Sequence, residues 1–232
     1  MRKSAPNRRD FLKATGAAVV AGAAISREDG TVDAQQAMPA RFSAPAIENV
    51  RIGYVGELGY ELYVPQEFGA HVHSLLWAAG DMHGIANAGY RAIDSCRMEK
   101  GYLYWSGDIS PDYNPFEAGL SFCVNLDKGD FIGRDALVNI KQHGVARKLC
   151  SFTIDGFAPL HAGEAILFDG KVVSSTTSVG FGHTLGKTIA FGYLASAIAN
   201  EKTFTIEAFG KSYTAARGAR CLYDAKMQRL KA

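Results

Sequence analysis

Little in this chain would staple it, chelate a metal or anchor it in a bilayer. Its four cysteines, Cys96, Cys123, Cys150 and Cys221, lie far apart and form no C-x-x-C pair. An even count in a chain this long does not establish a disulfide framework, and no zinc site is expected. Each cysteine sits in an apolar or periodic context, as a small buried hydrophobe does. Histidine does not make up the shortfall. His71 and His73 stand two apart on a predicted helix and so do not share a face. His83, His143, His161 and His183 are isolated and read as loop or surface residues. Net charge is only +2. Without a basic stripe interleaved with aromatics, no nucleic acid partner is expected. No G-x-G-x-x-G fingerprint occurs, so the chain does not hold a flavin dinucleotide in that way by itself. The apolar run Ala14–Ala24 is about ten residues long, too short to cross a bilayer as a helix, and no stable membrane span is expected. No internal repeat is visible.

What is present suits a globular protein with a real core. The chain has 232 residues, 47% of them hydrophobic and 21% charged, enough for one or two domains. The first forty residues differ from the rest. Asn7-Arg8-Arg9-Asp10-Phe11-Leu12-Lys13 has the form of a twin-arginine export motif, followed by the Ala-rich apolar run and then a polar stretch. That order is the architecture of a secretory signal. It predicts a periplasmic protein if the signal is used and a cytoplasmic one otherwise. Ala21-Gly22-Ala23 is an acceptable cleavage site, and others lie near Ala40. Residues 26–46 carry Pro, Ala, Ser and charges without periodicity and read as linker.

The densest chemistry lies in Val50–Val64, VRIGYVGELGYELYV. Alternation predicts two short strands around a turn punctuated by Gly56 and Gly59. Glu61 and Tyr63 then point one way, Tyr60 and Leu62 the other. A carboxylate beside a phenol ring can hold a flat heterocycle by its edge and its face. An ordinary hairpin with solvated glutamates and packed tyrosines has the same pattern.

Helical spacing of Phe68, Val72, Leu75, Leu76 and Ala79 predicts a helix over Pro65–Met82 with Gly80 as its stop. A second helix is predicted over Ala86–Gly101, with Ile93 and Cys96 inward. Its Arg91, Arg97, Glu99 and Lys100 suit either a solvated, ion-paired face or a ligand site. Tyr102–Leu120 reads as a long aromatic loop that lines a site or plugs the core, with Asp108 and Glu117 as possible caps. Ser121–Leu126 is predicted as a strand and Asp135–Gln142 as a helix closed by Gly144. From Val145 the texture changes to short strands: Lys148–Ile154, Glu164–Phe168, Lys171–Val173, Thr176–Phe181, Thr188–Tyr193, Thr203–Phe209 and Ser212–Ala216. Asp169-Gly170 is a hairpin turn. Many closely spaced strands indicate a small antiparallel barrel or sandwich. The division expected is 1–40 signal and linker, 41–145 an α+β domain, and 146–232 an all-β domain.

Three stretches carry a family resemblance. YVGELGYELYVP, Arg91–Leu137 and Ser178–Leu194 resemble, in order, segments of the aminomethyltransferase family. That family includes the glycine cleavage T-protein and the C-terminal halves of dimethylglycine and sarcosine dehydrogenases. The resemblance runs from about Val50 to the end. It implies an α+β fold: a partial folate-binding domain, an antiparallel sheet with helices, followed by a C-terminal antiparallel β-barrel. It also implies tetrahydrofolate as cofactor and transfer of a one-carbon unit from a small-molecule amine. Carried over by position, Tyr54 and the run Glu61, Leu62, Tyr63 become folate contacts, with Glu57 a second carboxylate candidate. Phe122 falls close to a family aromatic at the folate. T-proteins place an arginine directly before the Asp-Ser pair, and its absence here favours the dehydrogenase branch of the family. Here that position is Ile93, with Arg91 two residues earlier as the candidate.

One departure is large. Family members carry a substantial N-terminal half that includes the catalytic aspartate, and no aspartate ahead of Val50 stands in a comparable context. No catalytic residue is identified in this chain. Three forms are consistent with that: a family enzyme inactive as an isolated half, the folate-side piece of a split FAD-linked dehydrogenase, or a non-catalytic folate-binding module. The partners expected are a flavoprotein chain or a second copy meeting an exposed apolar surface.

Overall fold

The strands after residue 146 alternate in burial, and that alternation closes them on themselves. A computed structural model describes residues 48–50, 53–229 and 231, with side chains from residue 53 onward. Six antiparallel strands form a closed barrel: β3 (Arg147–Asp155), β4 (Ala165–Phe168), β5 (Lys171–Gly182), β6 (Lys187–Ala195), β7 (Thr203–Ala208) and β8 (Lys211–Gly218). Around the wall they run β3-β6-β5-β4-β7-β8, and β3 pairs with β8 to close it. In β7, Phe204, Ile206 and Ala208 are buried while Thr203 and Glu207 face out, the period of two that a one-sided strand requires. Phe152, Ile166, Leu194, Phe204, Ile206 and Ala215 fill the interior, with the Phe152 and Phe204 rings edge-on at 5.4 Å.

Strand β6 breaks the alternation, being buried without interruption from Thr188 to Leu194. A strand buried on both faces must be covered on its outer side. That cover includes α2 (Tyr90–Lys100), whose Met98 packs with Ile189 and Phe191. Close approach needs glycine: a Cβ on Gly180 would meet Met98 Cγ at 3.2 Å, and one on Gly182 would meet Glu99 Oε1 at 2.9 Å. β5 is one strand, where the sequence suggested two. Its register shifts between Thr176 and Ser178, and the polar Ser174-Ser175 pair hid the continuity. Asp169-Gly170 does form the β4–β5 turn, with φ of 49° and 73°.

Among the described residues the chain divides into two compact units, one of residues 48–50, 53, 58–88 and 231, the other of 54–57 and 89–229. In the first, β1 (Glu48–Val50) pairs antiparallel with β2 (Glu61–Tyr63). The pairing thus lies partly ahead of the expected hairpin, whose Arg51 and Ile52 fall outside the described residues. Tyr54–Leu58 is bent backbone, and Gly56 takes φ 70°. Its helix α1 (Gly69–Gly80) is flanked by 3-10 turns at Gln66–Phe68 and Asp81–His83. The α-helix ends at Gly80, as expected, and the 3-10 turn beyond it is closed by Gly84 at φ 70°; buried Gly80 is pressed against Ile85, whose Cβ a side chain there would meet at 2.6 Å.

Two further expectations are corrected. Ser121–Cys123 is a 3-10 turn and no strand forms at Ser121–Leu126, because the Cys123 and Val124 amides turn back onto Leu120 and Ser121 carbonyls at 3.0 Å each. In α2 the residues expected inward, Ile93 and Cys96, are only half-buried, and the buried ones are Arg97, Met98, Glu99 and Lys100. The helix starts at Tyr90 behind an extended Gly89 and ends at Gly101, φ 75°. Helix α3 (Arg134–His143), closed by Gly144, precedes the barrel.

Candidate functional site

At about 100° per residue, the four consecutive residues Arg97, Met98, Glu99 and Lys100 point all the way round α2, and three of them, Arg97, Glu99 and Lys100, carry charge. All three are buried, to between 2% and 3% exposure. A buried charge is tolerated when its hydrogen-bonding positions are filled. Arg97 donates to Asp94 Oδ1 at 2.7 Å, Asp108 Oδ2 at 2.8 Å and Ser178 Oγ at 3.0 Å. Asp108 is fully buried and also accepts from the Thr177 hydroxyl at 2.6 Å and the Tyr104 amide at 2.9 Å. Its role is therefore a core ion pair rather than a loop cap. Glu117 does act as a cap, accepting the Asn114 amide at 3.1 Å, and Arg147 Nε joins it at 3.2 Å. Glu99 accepts the Thr184 amide at 2.7 Å. Lys100 Nζ donates to the Asp224 carbonyl at 2.8 Å. The solvated-face reading of these charges fails for all but Arg91, which is exposed.

This belt fixes two surfaces. One is a cleft of about 600 Å³ beside the first turns of α2, lined by Tyr90, Arg91, Asp94, Tyr104, Phe157 and His161 among others. Tyr90 and Phe157 there are 69% and 73% exposed. A hydrogen bond with Tyr104, then that neighbour's charge, pushes the Tyr90 phenol up. Phe157 meets Phe181 edge-on at 5.8 Å, and Phe181 meets His183 at 5.0 Å. His161 and His183 line this cleft, and sequence spacing gave no sign of it.

The other surface is formed by Tyr54–Glu57, which packs within the barrel's unit. Tyr54 stacks on Tyr102 at 5.9 Å and donates its hydroxyl to the Leu103 carbonyl at 2.5 Å. Burial pushes its phenol up, against the pull of Arg97. Gly56 lies over the Lys100 stem, where an added Cβ would come within 2.6 Å of Cδ. Glu57 Oε1 accepts the Tyr223 hydroxyl at 2.9 Å. Arg91 and Glu57 are not on one surface: Lys100, on whose stem Gly56 lies, stands roughly 180° round α2 from Arg91.

The remaining candidates stand elsewhere. Glu61 and Tyr63 are exposed and Leu62 half-buried in the first unit, and Tyr63 donates its hydroxyl to Glu61 Oε2 at 2.9 Å. The expected sharing of a face by Glu61 and Tyr63 is observed. Phe122 is 79% exposed on its 3-10 turn and does not line the cleft. Among the described residues no cluster has the makings of a metal site, and no helix is long and apolar enough to cross a membrane.

Two consecutive family domains match this chain. The GCVT N-terminal domain matches residues 27–128 and the glycine cleavage T-protein C-terminal barrel domain matches residues 147–224. The chain belongs to the aminomethyltransferase family. Mitochondrial sarcosine dehydrogenase of Mus musculus is 36% identical over 200 residues, covering 82% of this chain and 22% of that protein. The aminomethyltransferase of Halothermothrix orenii is 40% identical over 144 residues, covering 62% of this chain and 40% of that protein. The crystal structure of glycine cleavage system aminomethyltransferase T from Bartonella henselae superposes with a TM-score of 0.70 at 28% identity, covering 76% of this chain and 49% of that one. The chain thus spans about a fifth of the dehydrogenase relative and half of the solved aminomethyltransferase. In this aminomethyltransferase-family chain, every candidate from Tyr54 to Phe122 falls in the first domain match and the barrel falls in the second.

Proposed function

We propose that this chain binds tetrahydrofolate and serves one-carbon transfer from a small-molecule amine. The observation that supports this reading is the pair of aminomethyltransferase-family domains, matched consecutively on one chain. The residues at the Tyr54–Glu57 surface fit such a cofactor chemically. A pterin edge presents an amino group and a ring N–H side by side, and a carboxylate accepts both. Of the two carboxylates, Glu57 suits that role better. It is half-buried and oriented by Tyr223, whereas Glu61 is exposed beside Tyr63. Tyr54 offers a ring whose hydroxyl is already fixed. Bound tetrahydrofolate supplies the nitrogen nucleophile. The chain's residues orient it and hold a carboxylate where charge changes. Arg91, on another side of α2, would meet a ligand only through the cleft.

A second reading is favoured by the dehydrogenase relatives, of which this chain covers about a fifth. In that reading the chain is the folate-side member of an amine-oxidising system and works with a flavoprotein chain. The export motif of residues 7–13 lies outside the described residues, and a periplasmic location is proposed from sequence alone. Anaerobic calorimetric titration of tetrahydrofolate into the chain tests the first reading: saturable binding supports it, and no binding contradicts it. Affinity capture that brings down a stoichiometric flavoprotein selects the second.

A further inference from the structure

After β8 the chain does not trail away. Residues 219–229 return along the C-terminal end of α2 as a strap. Arg220 donates through Nε to the Gly101 carbonyl at 2.9 Å and through Nη1 to the Gly119 carbonyl at 2.8 Å. The Leu222 and Tyr223 amides both bond the Glu99 carbonyl at 3.0 Å. Lys100, its side chain fully buried, reaches Asp224. The backbone turns sharply at Asp224, φ 45°, and the Asp224 carboxylate accepts the Gln228 and Arg229 amides at 2.9 and 3.0 Å. The strap is therefore secured by groups that do not include the Tyr223 hydroxyl. That hydroxyl is spent on a residue 166 positions away, Glu57.

We propose that Tyr223 is a positioning residue for Glu57. The phenol holds the carboxylate in one rotamer and favours its ionised form, as any donor to a carboxylate does. The effect is reciprocal: the hydrogen bond to Glu57 is the leading cause of an upward push on the Tyr223 phenol. Lys100 ties the two partners into one assembly, because Gly56 lies on its stem and Asp224 takes its ammonium. The C-terminal strap thus belongs to the ligand surface through one side chain. This inference rests on Glu57 being the acceptor for the heterocycle's edge.

Anaerobic titration of tetrahydrofolate into the full chain, from about pH 3 to about pH 8, compares wild type with Glu57→Gln and Tyr223→Phe. A thermal melt accompanies each. Tyr223→Phe keeps the ring and every backbone bond of the strap, so its melt matches wild type. The expected result is an affinity about tenfold weaker in Tyr223→Phe near neutral pH. The pH at which binding is half lost on the acid side also moves upward. A purely structural tyrosine would not move that midpoint. If Glu57→Gln weakens binding and Tyr223→Phe keeps both the wild-type affinity and midpoint, the inference alone is overturned. If Glu57→Gln binds like wild type, or nothing binds, the assignment of Glu57 falls and this inference falls with it.

Discussion

The barrel interior and the end of α2 are equally dry and chemically opposite. Phe152, Ile166 and Ile206 are at 0% exposure, and so is Asp108, while Arg97 is at 3% and Lys100 at 2%. The barrel is held by apolar area withdrawn from water, which is non-directional. The helix end is held by ions that stay buried because their geometry is filled. The first kind of core tolerates approximation and the second does not. The second kind also lies beneath both candidate surfaces, since Arg97 fixes Asp94 at the cleft and Lys100 supports Gly56 and Asp224.

The contrast predicts a graded series. Asp108→Ala removes the buried partner of Arg97 and leaves it only the part-exposed Asp94 as counter-charge, which should cost ~3–5 kcal/mol in urea unfolding. Replacing both buried partners, Arg97→Met with Asp108→Leu, should recover most of that loss, because the penalty comes from a buried charge that has lost its buried partner. A double variant as unstable as the single one would show that packing, not pairing, sets the cost. In the barrel, Ile206→Val should cost only ~0.5–1.5 kcal/mol. Smallest of all is Phe209→Asn. Phe209 takes φ 51° at the β7–β8 turn and is 72% exposed, so Asn there should raise stability by less than ~1 kcal/mol.

A pH series separates the two regions again. Tyr193 donates to the Asp108 carbonyl at 2.9 Å and stacks on Tyr113 at 3.9 Å. Burial first, then the neighbouring Tyr113, pushes its phenol well above the ordinary value of 10.0. A raised folded value means that this contribution is complete below the unfolded value and lost as pH rises towards the folded one. Stability should therefore fall above about pH 10. Tyr193→Phe should flatten that alkaline fall while costing some stability at neutral pH. An unchanged alkaline slope in the variant would assign the fall to other groups.

Legibility followed the same line. The barrel strands stood out because one-sided burial writes a period of two into residues such as Thr203–Ala208, and Asp169-Gly170 marks its turn. The β7–β8 turn was expected one residue late, at 210–211 instead of Phe209-Gly210, because Phe209 is a residue that turn chemistry argues against. The belt was open to two readings, a solvated, ion-paired face or a ligand site, because charge normally signals water or a ligand, and burial of the ion pairs in the core was not foreseen. Charge spacing gave no clue, because residues 97, 99 and 100 fit within an arc of about 160°, as an exposed face also would. Of the candidate site, Tyr54 and Glu57 were legible from their chemistry and family resemblance. Tyr223 was not, because a partner 166 positions away leaves no local spacing to read. The separation of Arg91 from Glu57 was equally hidden, depending on where α2 begins and which side meets the barrel.

The central claim is that the Tyr54–Glu57 surface, and not the Arg91 cleft, receives the heterocycle. A crystal structure of the chain soaked anaerobically with tetrahydrofolate tests it directly. The account predicts the pterin amino group and ring N–H within hydrogen-bond reach of the Glu57 carboxylate, about 2.7–3.2 Å. A pterin seated in the cleft beside Tyr90, Arg91 and Phe157, with Glu57 untouched, would contradict it.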